Sequence, residues 1–273
     1  MSGLGPLTAR EIKKWYRNPV FLLTGLIQPF FWLALFGSAI DLTKFIGAGL
    51  PSGVSPTAIF GGAPNYITFI LGGILVITSL FTAMFSGVNI IFDRRLGPMG
   101  RFLTSPIRRS SIVFSKIISA MIRILIQVVI LIAAAFIIPN GLILEHGFSL
   151  EAGFVLVVTV ILVALIFSSI FSVIAVRLKD MNTIFGIVNL VNLPLLFMSY
   201  AMFPGDIMAG WLSDAAKYNP VSWAAESIRT VIINGTVIPS QASNVALWMG
   251  SLAILALGLV LLTFFVAEKE IRD

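Results

Sequence analysis

Long apolar runs separated by short charged segments dominate the pattern of this 273-residue chain. A helix needs about 20 apolar residues to cross the roughly 30 Å hydrocarbon core of a bilayer. Six runs of about that length occur, at residues 20–40, 67–92, 117–138, 153–176, 184–203 and 245–267. Because the runs are continuous and do not alternate, they predict helices and not barrel strands. The pattern therefore predicts an all-α integral membrane protein with six transmembrane helices.

Composition supports one transmembrane domain over residues 1–273, with no separate soluble or nucleotide-binding domain. Hydrophobic residues make up 58% of the chain and charged residues 11%, whereas a soluble domain carries about 25% charged residues. The fifth run is the least regular, because it contains Pro194 with Asn189 and Asn192. A cleaved signal peptide is the alternative interpretation of the first run, but that run exceeds the roughly 7–15 apolar residues of a signal peptide.

The distribution of basic residues predicts the orientation of the chain, because cytoplasmic loops collect Lys and Arg. Fifteen of the 18 basic residues lie on one side of the predicted spans, and only Lys44, Lys217 and Arg229 lie on the other. The fifteen are Arg10, Lys13, Lys14, Arg17, Arg94, Arg95, Arg101, Arg108, Arg109, Lys116, Arg123, Arg177, Lys179, Lys269 and Arg272. We therefore expect both termini to face the cytoplasm.

The amino-terminal segment predicts a short interfacial helix over residues 1–19. Thr8 and Glu11 have the spacing of a capping box, in which both side chains satisfy free amides at a helix start. Ile12, Trp15 and Tyr16 then share one face, the remaining positions are basic, and Pro19 ends the helix. The basic and polar members of this predicted helix are Thr8, Arg10, Glu11, Lys13, Lys14 and Arg17. A solvated charged tail is the alternative.

The loop after the second run mixes basic and apolar side chains. The basic members are Arg94, Arg95, Arg101, Arg108 and Arg109, and the apolar members are Met99, Phe102, Leu103 and Ile107. Ser105 followed by Pro106 predicts that a helix begins there. An ordinary cytoplasmic loop would explain the charges, but exposed apolar groups among them indicate a surface that a partner protein covers.

Polar residues inside the runs are few. Ser119, Arg123 and Gln127 recur every four residues and predict a polar stripe on one helix face, with Asp93 as a candidate partner of Arg123. Snorkelling of Arg123 to the membrane surface is the alternative. Beyond the fifth run, residues 204–229 predict two short amphipathic helices that fold back into the outer leaflet, with a break at Asn219 and Pro220.

Several functional classes are disfavoured by residues that are missing. The chain has no cysteine and a single histidine, His146, which excludes thiolate chemistry and multi-histidine metal sites. No nucleotide-binding loop with Gly-Lys-Ser/Thr occurs, so this chain alone is not expected to hydrolyse ATP or to hold a cofactor. The runs contain no acidic residue between their ends, which argues against proton coupling. Sodium coupling through Asn189, Asn192 and Ser168 and channel function both stay open.

The order of these features resembles the membrane subunits of type-2 ATP-binding cassette (ABC) exporters, and within them the daunorubicin-resistance permeases. The resemblance covers essentially the whole chain and is strongest at residues 66–81, 93–127 and 218–229. The last segment, Tyr218-Asn-Pro-Val-Ser-Trp-Ala-Ala-Glu-Ser-Ile-Arg229, is the most specific. The chain departs from the family pattern at Gly72-Gly73, where members often have Pro-Gly, and at Pro98-Met99-Gly100.

The resemblance implies a mechanism. Residues 94–110 would form the coupling helix that docks on a separately encoded ATPase dimer, which would hold ATP and Mg, and residues 8–18 would lie beside it. A second permease copy, identical or a paralogue, would complete a path through the plasma membrane for the efflux of an amphiphilic or lipidic cargo, such as a drug, glycolipid or glycan. Candidate path residues are Thr78, Ser79, Arg123, Gln127, Asn189 and Asn192. A self-sufficient channel or ion-coupled carrier is the alternative.

Overall fold

The computed structural model describes residues 3–39, 60–95, 107–139, 141–144, 147–178 and 180–270, and within them it contains helices and no strand. The first five helices are α1 (Leu4–Tyr16), α2 (Pro19–Ala39), α3 (Tyr66–Arg95), α4 (Arg109–Ile137) and α5 (Leu150–Arg177). The remaining helices are α6 (Met181–Phe197), α7 (Gly210–Ala216), α8 (Pro220–Asn234) and α9 (Pro239–Glu270), with a 3₁₀ turn at Gly205–Ile207.

Four of the described helices are long and apolar enough to cross a membrane, namely α3, α4, α5 and α9. The apolar parts of α2 and α6 are shorter, at Gly25–Leu35 and Asn182–Phe197. The all-α membrane class is therefore confirmed, while the six-span count stays a prediction. The predicted fifth span is too long, because α6 ends at Phe197 and the chain turns through residues 198–203.

The central helices of the bundle are α3 and α5. They pack against each other, and α4 and α8 pack against both. α3 is buried along nearly its whole length, whereas α9 packs one face on α5 and leaves much of its apolar surface exposed. The core of the molecule thus lies along α3, and the outer faces of the surrounding helices are apolar.

Small residues allow close approach of the backbones around α3. A Cβ atom at Gly87 would lie 2.6 Å from the carbonyl oxygen of Phe171 on α5, and a Cβ atom at Gly72 would lie 3.1 Å from the backbone nitrogen of Arg229 on α8. A Cβ atom at Gly73 would overlap the backbone of Ala201. Close contacts at small residues are typical of helix packing in membranes. The Gly72-Gly73 pair therefore lets α3 lie directly against α8 and the turn after α6.

The predicted capping box at Thr8 and Glu11 is wrong. Gly3 adopts a left-handed conformation with φ of 118° and α1 begins at Leu4, so Thr8 lies inside the helix and donates to the Leu4 carbonyl at 2.9 Å. The buried face comprises Leu7, Thr8, Glu11 and Trp15, and Tyr16 is exposed. α1 packs against α4, which rules out a merely solvated tail. The predicted end of the helix before Pro19 is confirmed.

Ser105 and Pro106 lie outside the described residues, but the helix of the third run starts later than the predicted position. Residues 107 and 108 are not helical, and α4 begins at Arg109. The side chain of Arg108, the N-cap residue, makes no capping hydrogen bond, and the backbone N–H of Ser110 instead donates to the carboxylate of Glu268 on α9 at 3.4 Å. The free amides of this helix are thus satisfied partly by a distant helix, which a local pattern does not indicate.

Helices do lie on both sides of the predicted break at Asn219 and Pro220. Asn219 is the N-cap of α8, and its side-chain oxygen accepts from the backbone N–H of Val221 at 2.9 Å. α8 is buried on most of its surface against α3, α5 and α9. The location of α7 and α8 in the outer leaflet stays a prediction.

Candidate functional site

The ends of several helices meet in a group of ionic contacts, which we call the charged end of the bundle. Arg95 of α3 pairs with Asp180 at 3.2 Å, and Arg177 of α5 pairs with Glu270 of α9 at 3.7 Å. Arg94 donates to the carbonyls of Val176 and Leu178 at 3.1 and 3.3 Å. The charged end therefore connects α3, α5, α9 and the start of α6.

A buried ionic cluster lies within the charged end. Lys116 of α4 is 2% exposed, and its ammonium group forms an ion pair with Asp93 of α3, itself 2% exposed. The same nitrogen lies 3.6 Å from a carboxylate oxygen of Glu11 on α1 and donates to the Asn89 carbonyl at 3.4 Å. The sequence pattern predicted Lys116 as a loop charge, but it is a buried residue of α4. This residue joins α1, α3 and α4 in what we call the Lys116 cluster.

The polar stripe on α4 faces the bundle. Ser119 and Gln127 are buried, and Gln127 accepts from the hydroxyl of Thr82 on α3 at 2.7 Å. Arg123 is partly buried and donates to the Ser119 carbonyl at 3.2 Å, and its nearby acid is Glu11. The predicted pairing of Arg123 with Asp93 is wrong, because Asp93 pairs with Lys116.

The other candidate path residues occupy separate places. Thr78 and Ser79 are buried in α3 and donate to the carbonyls of Ile74 and Leu75 of their own helix, both at 2.7 Å. Asn192 of α6 is buried, and its side-chain oxygen has no hydrogen-bond partner among the described residues. Asn189 is exposed on α6. Within one copy of the chain, these residues and the α4 stripe do not form a single site.

Only part of the predicted coupling segment belongs to the described residues. Met99, Arg101, Phe102 and Leu103 lie outside them. Arg94 and Arg95 end α3, while Arg108 precedes α4 and Arg109 begins it. At the amino-terminal helix, the basic residues Arg10, Lys13, Lys14 and Arg17 are exposed, and Arg10 pairs with Glu11 at 3.0 Å. The described part of the segment thus emerges beside a basic helix surface.

Asp180 fixes the start of α6. Its carboxylate accepts from the backbone N–H of Thr183 at 2.8 Å and from the hydroxyl of Thr183 at 3.0 Å. These hydrogen bonds, together with the charge of Arg95, lower the pKa of Asp180 from its ordinary value. The carboxylate is therefore ionised at neutral pH and connects α6 to the end of α3.

A second buried charge, Arg229, was counted in the sequence only among the basic residues on the outer side of the spans, and its burial was not predicted. Arg229 of α8 is 4% exposed and forms an ion pair with Glu226. It donates to the carbonyl of Phe69 on α3 at 3.1 Å and to the carbonyls of Tyr200 and Ala201 at 2.8 and 3.3 Å. Its guanidinium also lies 3.7 Å from the centre of the Phe69 ring.

Two further side chains at the start of α8 satisfy the backbone at the end of α6. The amide of Asn219 donates to the carbonyls of Leu195 and Met198 at 2.9 and 2.7 Å. The hydroxyl of Ser222 accepts from the backbone N–H of Tyr200 at 3.0 Å. Together with Arg229 these residues form what we call the α8 clamp. The signal in the sequence was segment 218–229, where the family resemblance is most specific.

Comparison with known proteins identifies the family. The family model described as ABC-2 type transporter matches residues 4–233. The chain belongs to the ABC-2 type transporter family. It is 34% identical over 229 residues to a protein of Porphyra purpurea named as the transport permease ycf38, covering 84% of this chain and 73% of that protein. This chain is 30% identical over 271 residues to the protein of the same name in Pyropia yezoensis, covering 97% of this chain and 87% of that protein.

Membership of the ABC-2 type transporter family confirms the resemblance seen in the sequence. The chain is a multi-pass membrane permease subunit with a role in transport, and the family in general works with an ABC ATPase. The matched range contains the Lys116 cluster and the α8 clamp. Both are therefore features of the part of the chain that defines it as an ABC-2 permease.

Replacing Lys116 by Met tests the Lys116 cluster. The change leaves Asp93 buried without its cation, which typically costs about 3–5 kcal/mol. We expect a clear fall in the thermal unfolding temperature of the purified permease, and partial recovery when Asp93→Leu is added. Lys13→Met, at an exposed position of α1, is the matched control. An unfolding temperature equal to that of Lys13→Met would contradict the buried pairing.

Replacing Arg229 by Lys tests the α8 clamp. A lysine keeps the charge but lacks the planar fork that reaches several carbonyls at once. We expect Arg229→Lys to lower the unfolding temperature and to make the turn at residues 198–203 exchange backbone hydrogen faster. Lys217→Arg is the control, because Lys217 is exposed. Among the ion pairs of the described residues, Lys217 pairs only with the surface residue Asp214, at 2.8 Å. Unchanged exchange in Arg229→Lys would contradict the clamp.

Proposed function

We propose that this chain is the permease subunit of an ABC exporter that moves an amphiphilic or lipidic substrate across the plasma membrane. A separately encoded ATPase dimer, which holds ATP and Mg, supplies the energy. The observation that carries the proposal is the charged end, where the Lys116 cluster joins the two helices that flank segment 94–110 to the amino-terminal helix. In the proposed topology, with six spans and two cytoplasmic termini, this end lies on the side of the ATPase.

The charged end is suited to transmit a displacement of segment 94–110. The segment connects the end of α3 to the start of α4, and the pair of Asp93 and Lys116 holds these two ends together. Glu11 attaches α1 to the same pair, so an ATPase that moves the segment moves α1, α3 and α4 together. Arg95 extends the connection to α6 through Asp180.

A second permease copy, either identical or a paralogue, completes the substrate path. The outward face of α6 is exposed and carries Leu190, Leu193 and Phe197 beside the polar Asn189. An apolar face of this kind suits packing against another permease copy. Asn189 then supplies a polar group to the path between the two copies. Asn192, Thr78, Ser79, Arg123 and Gln127 supply further polar groups along the bundle.

The orientation is tested with single cysteines, since the natural chain contains none. Ala9 on α1 and Ala209 before α7 are both exposed. We expect an impermeant thiol reagent to label Ala209→Cys in intact cells and to label Ala9→Cys only after the membrane is opened. The reverse labelling would overturn both the cytoplasmic termini and the proposed side of the ATPase.

The coupling role is tested by replacing Phe102 with Ala. A buried aromatic anchor at an interface contributes more binding free energy than exposed ion pairs, which are worth about 0.2–1 kcal/mol. We therefore expect Phe102→Ala to weaken co-purification of the ATPase and to reduce ATP-driven transport, with a smaller effect from Arg108→Ala. The control is Phe154→Ala, an exposed phenylalanine near the start of α5, opposite the charged end.

The same reconstituted system separates the exporter from a self-sufficient carrier or channel. Transport that requires the ATPase and ATP supports the proposal. Gradient-driven flux through the permease alone, or unchanged ATPase binding and transport in Phe102→Ala, would contradict it.

A further inference from the structure

An apolar cavity of about 360 Å³ lies away from the charged end, between α4, α5, Phe148 and the segment at residues 141–144. Every side chain that lines it is apolar. Leu71 of α3 and Ile232 of α8 form its buried floor, and Phe136, Phe148 and Val157 lie at its mouth, where they are 53%, 46% and 42% exposed. We call this space the lateral cavity, because its mouth opens sideways from the bundle.

The walls of the lateral cavity are fixed by hydrogen bonds. The Leu142 N–H donates to the Ala135 carbonyl at 2.8 Å, which closes the segment onto the end of α4. The Asn65 amide donates to the Gly141 carbonyl at 2.6 Å, and the Ile143 N–H donates to the hydroxyl of Thr68 at 3.3 Å. The segment is thus attached to both α3 and α4, so the cavity is preformed and not a gap between loosely packed helices.

The surroundings of the mouth decide what enters the lateral cavity. α4 and α5 are long enough to span the membrane, and their surface around the mouth carries the exposed apolar residues Val129, Ile137, Leu150 and Phe154. The mouth is therefore continuous with the lipid-facing surface of the protein. Water is disfavoured inside, because the lining offers none of the polar partners that a buried water requires.

We propose that the lateral cavity binds one acyl chain of a phospholipid from the adjacent leaflet. A volume of about 360 Å³ is near the lower end of the roughly 300–1,000 Å³ of ligand pockets, which suits a single hydrocarbon chain. The apolar lining and the opening towards the hydrocarbon layer both match this occupant. The inference depends only on the membrane location of the chain and not on its proposed cargo or ATPase.

Gly153 of α5 provides a specific way to fill the lateral cavity. Gly153 lines the cavity, and a Cβ atom there would meet only the Phe148 ring, at 3.6 Å, which is an ordinary contact. A larger side chain at this position can therefore occupy the cavity without displacing backbone. Gly258 on α9 is the matched control, because it is also a glycine within an apolar helix and a Cβ atom there would have no neighbouring atom within 4 Å.

The experiment uses the full-length permease in nanodiscs that contain a phospholipid with a photoreactive diazirine on one acyl chain. After irradiation, mass spectrometry of peptides measures labelling of residues 132–136 and 141–157 relative to the exposed surface of α9. We expect several-fold more labelling at the cavity than on α9. Gly153→Phe should lower cavity labelling several-fold to the α9 level, Gly153→Leu should lower it partly, and Gly258→Phe should leave it unchanged.

Other outcomes would overturn the proposal. Equal labelling of the cavity and α9 in the natural sequence would show that the lipid only contacts the surface. Undiminished labelling in a folded Gly153→Leu or Gly153→Phe protein would show that the chain binds elsewhere. Absence of lipid labelling at the cavity in a folded natural-sequence protein would show that another occupant, such as a second permease copy, covers the mouth.

Discussion

Buried backbone outside regular helices has to find its hydrogen bonds within the protein, because an unpaired buried N–H or C=O group costs free energy. The turn after α6 meets this requirement through α8. Arg229 and Asn219 donate to four carbonyls between residues 195 and 201, and the Tyr66 hydroxyl of α3 donates to a fifth, that of Met202, at 3.1 Å. The relative positions of α3, α6 and α8 depend on these bonds. The glycine pair at positions 72 and 73 is the steric counterpart, because it lets α3 approach close enough for them to form.

At the charged end the buried polar groups are charged side chains, and they are paired with one another. A buried ion pair is a weak source of net stability, since desolvation offsets much of the Coulomb attraction. Its stronger effect is on geometry, because any arrangement that separates Lys116 from Asp93 leaves a buried charge without a partner. Glu11 extends this requirement to α1, whose remaining charged residues are exposed. The cluster therefore sets how α1, α3 and α4 lie against one another.

The sequence predicted the parts of this structure that composition controls. The long apolar runs at 67–92 and 153–176 became α3 and α5, because few other arrangements can bury so many apolar residues. The cap at Thr8 was predicted wrongly, because α1 begins after Gly3. The first turn of α4 donates to Glu268, which is distant in the chain and which a local pattern does not indicate. Lys116 and Arg229 were counted only among the charges outside the spans, because a charge count cannot tell a solvated residue from one that is buried and paired. Only the fold shows which carboxylate or carbonyl each cation meets.

α3 connects the two polar systems and so relates the charged end to the α8 clamp. It runs 30 residues from Tyr66 to Arg95, a length of about 45 Å at 1.5 Å per residue. Asp93 near one end belongs to the Lys116 cluster, and Phe69 near the other accepts from Arg229. Because α3 is buried on nearly all sides, it can shift only together with its neighbours. α3 is therefore linked to the turn beyond α6 through the carbonyls that Arg229 holds, and to the start of α6 through Arg95 and Asp180. Both ends of α6 are thus connected to α3, and the exposed face of α6 carries Asn189. These connections support the proposal that segment 94–110 controls the substrate path.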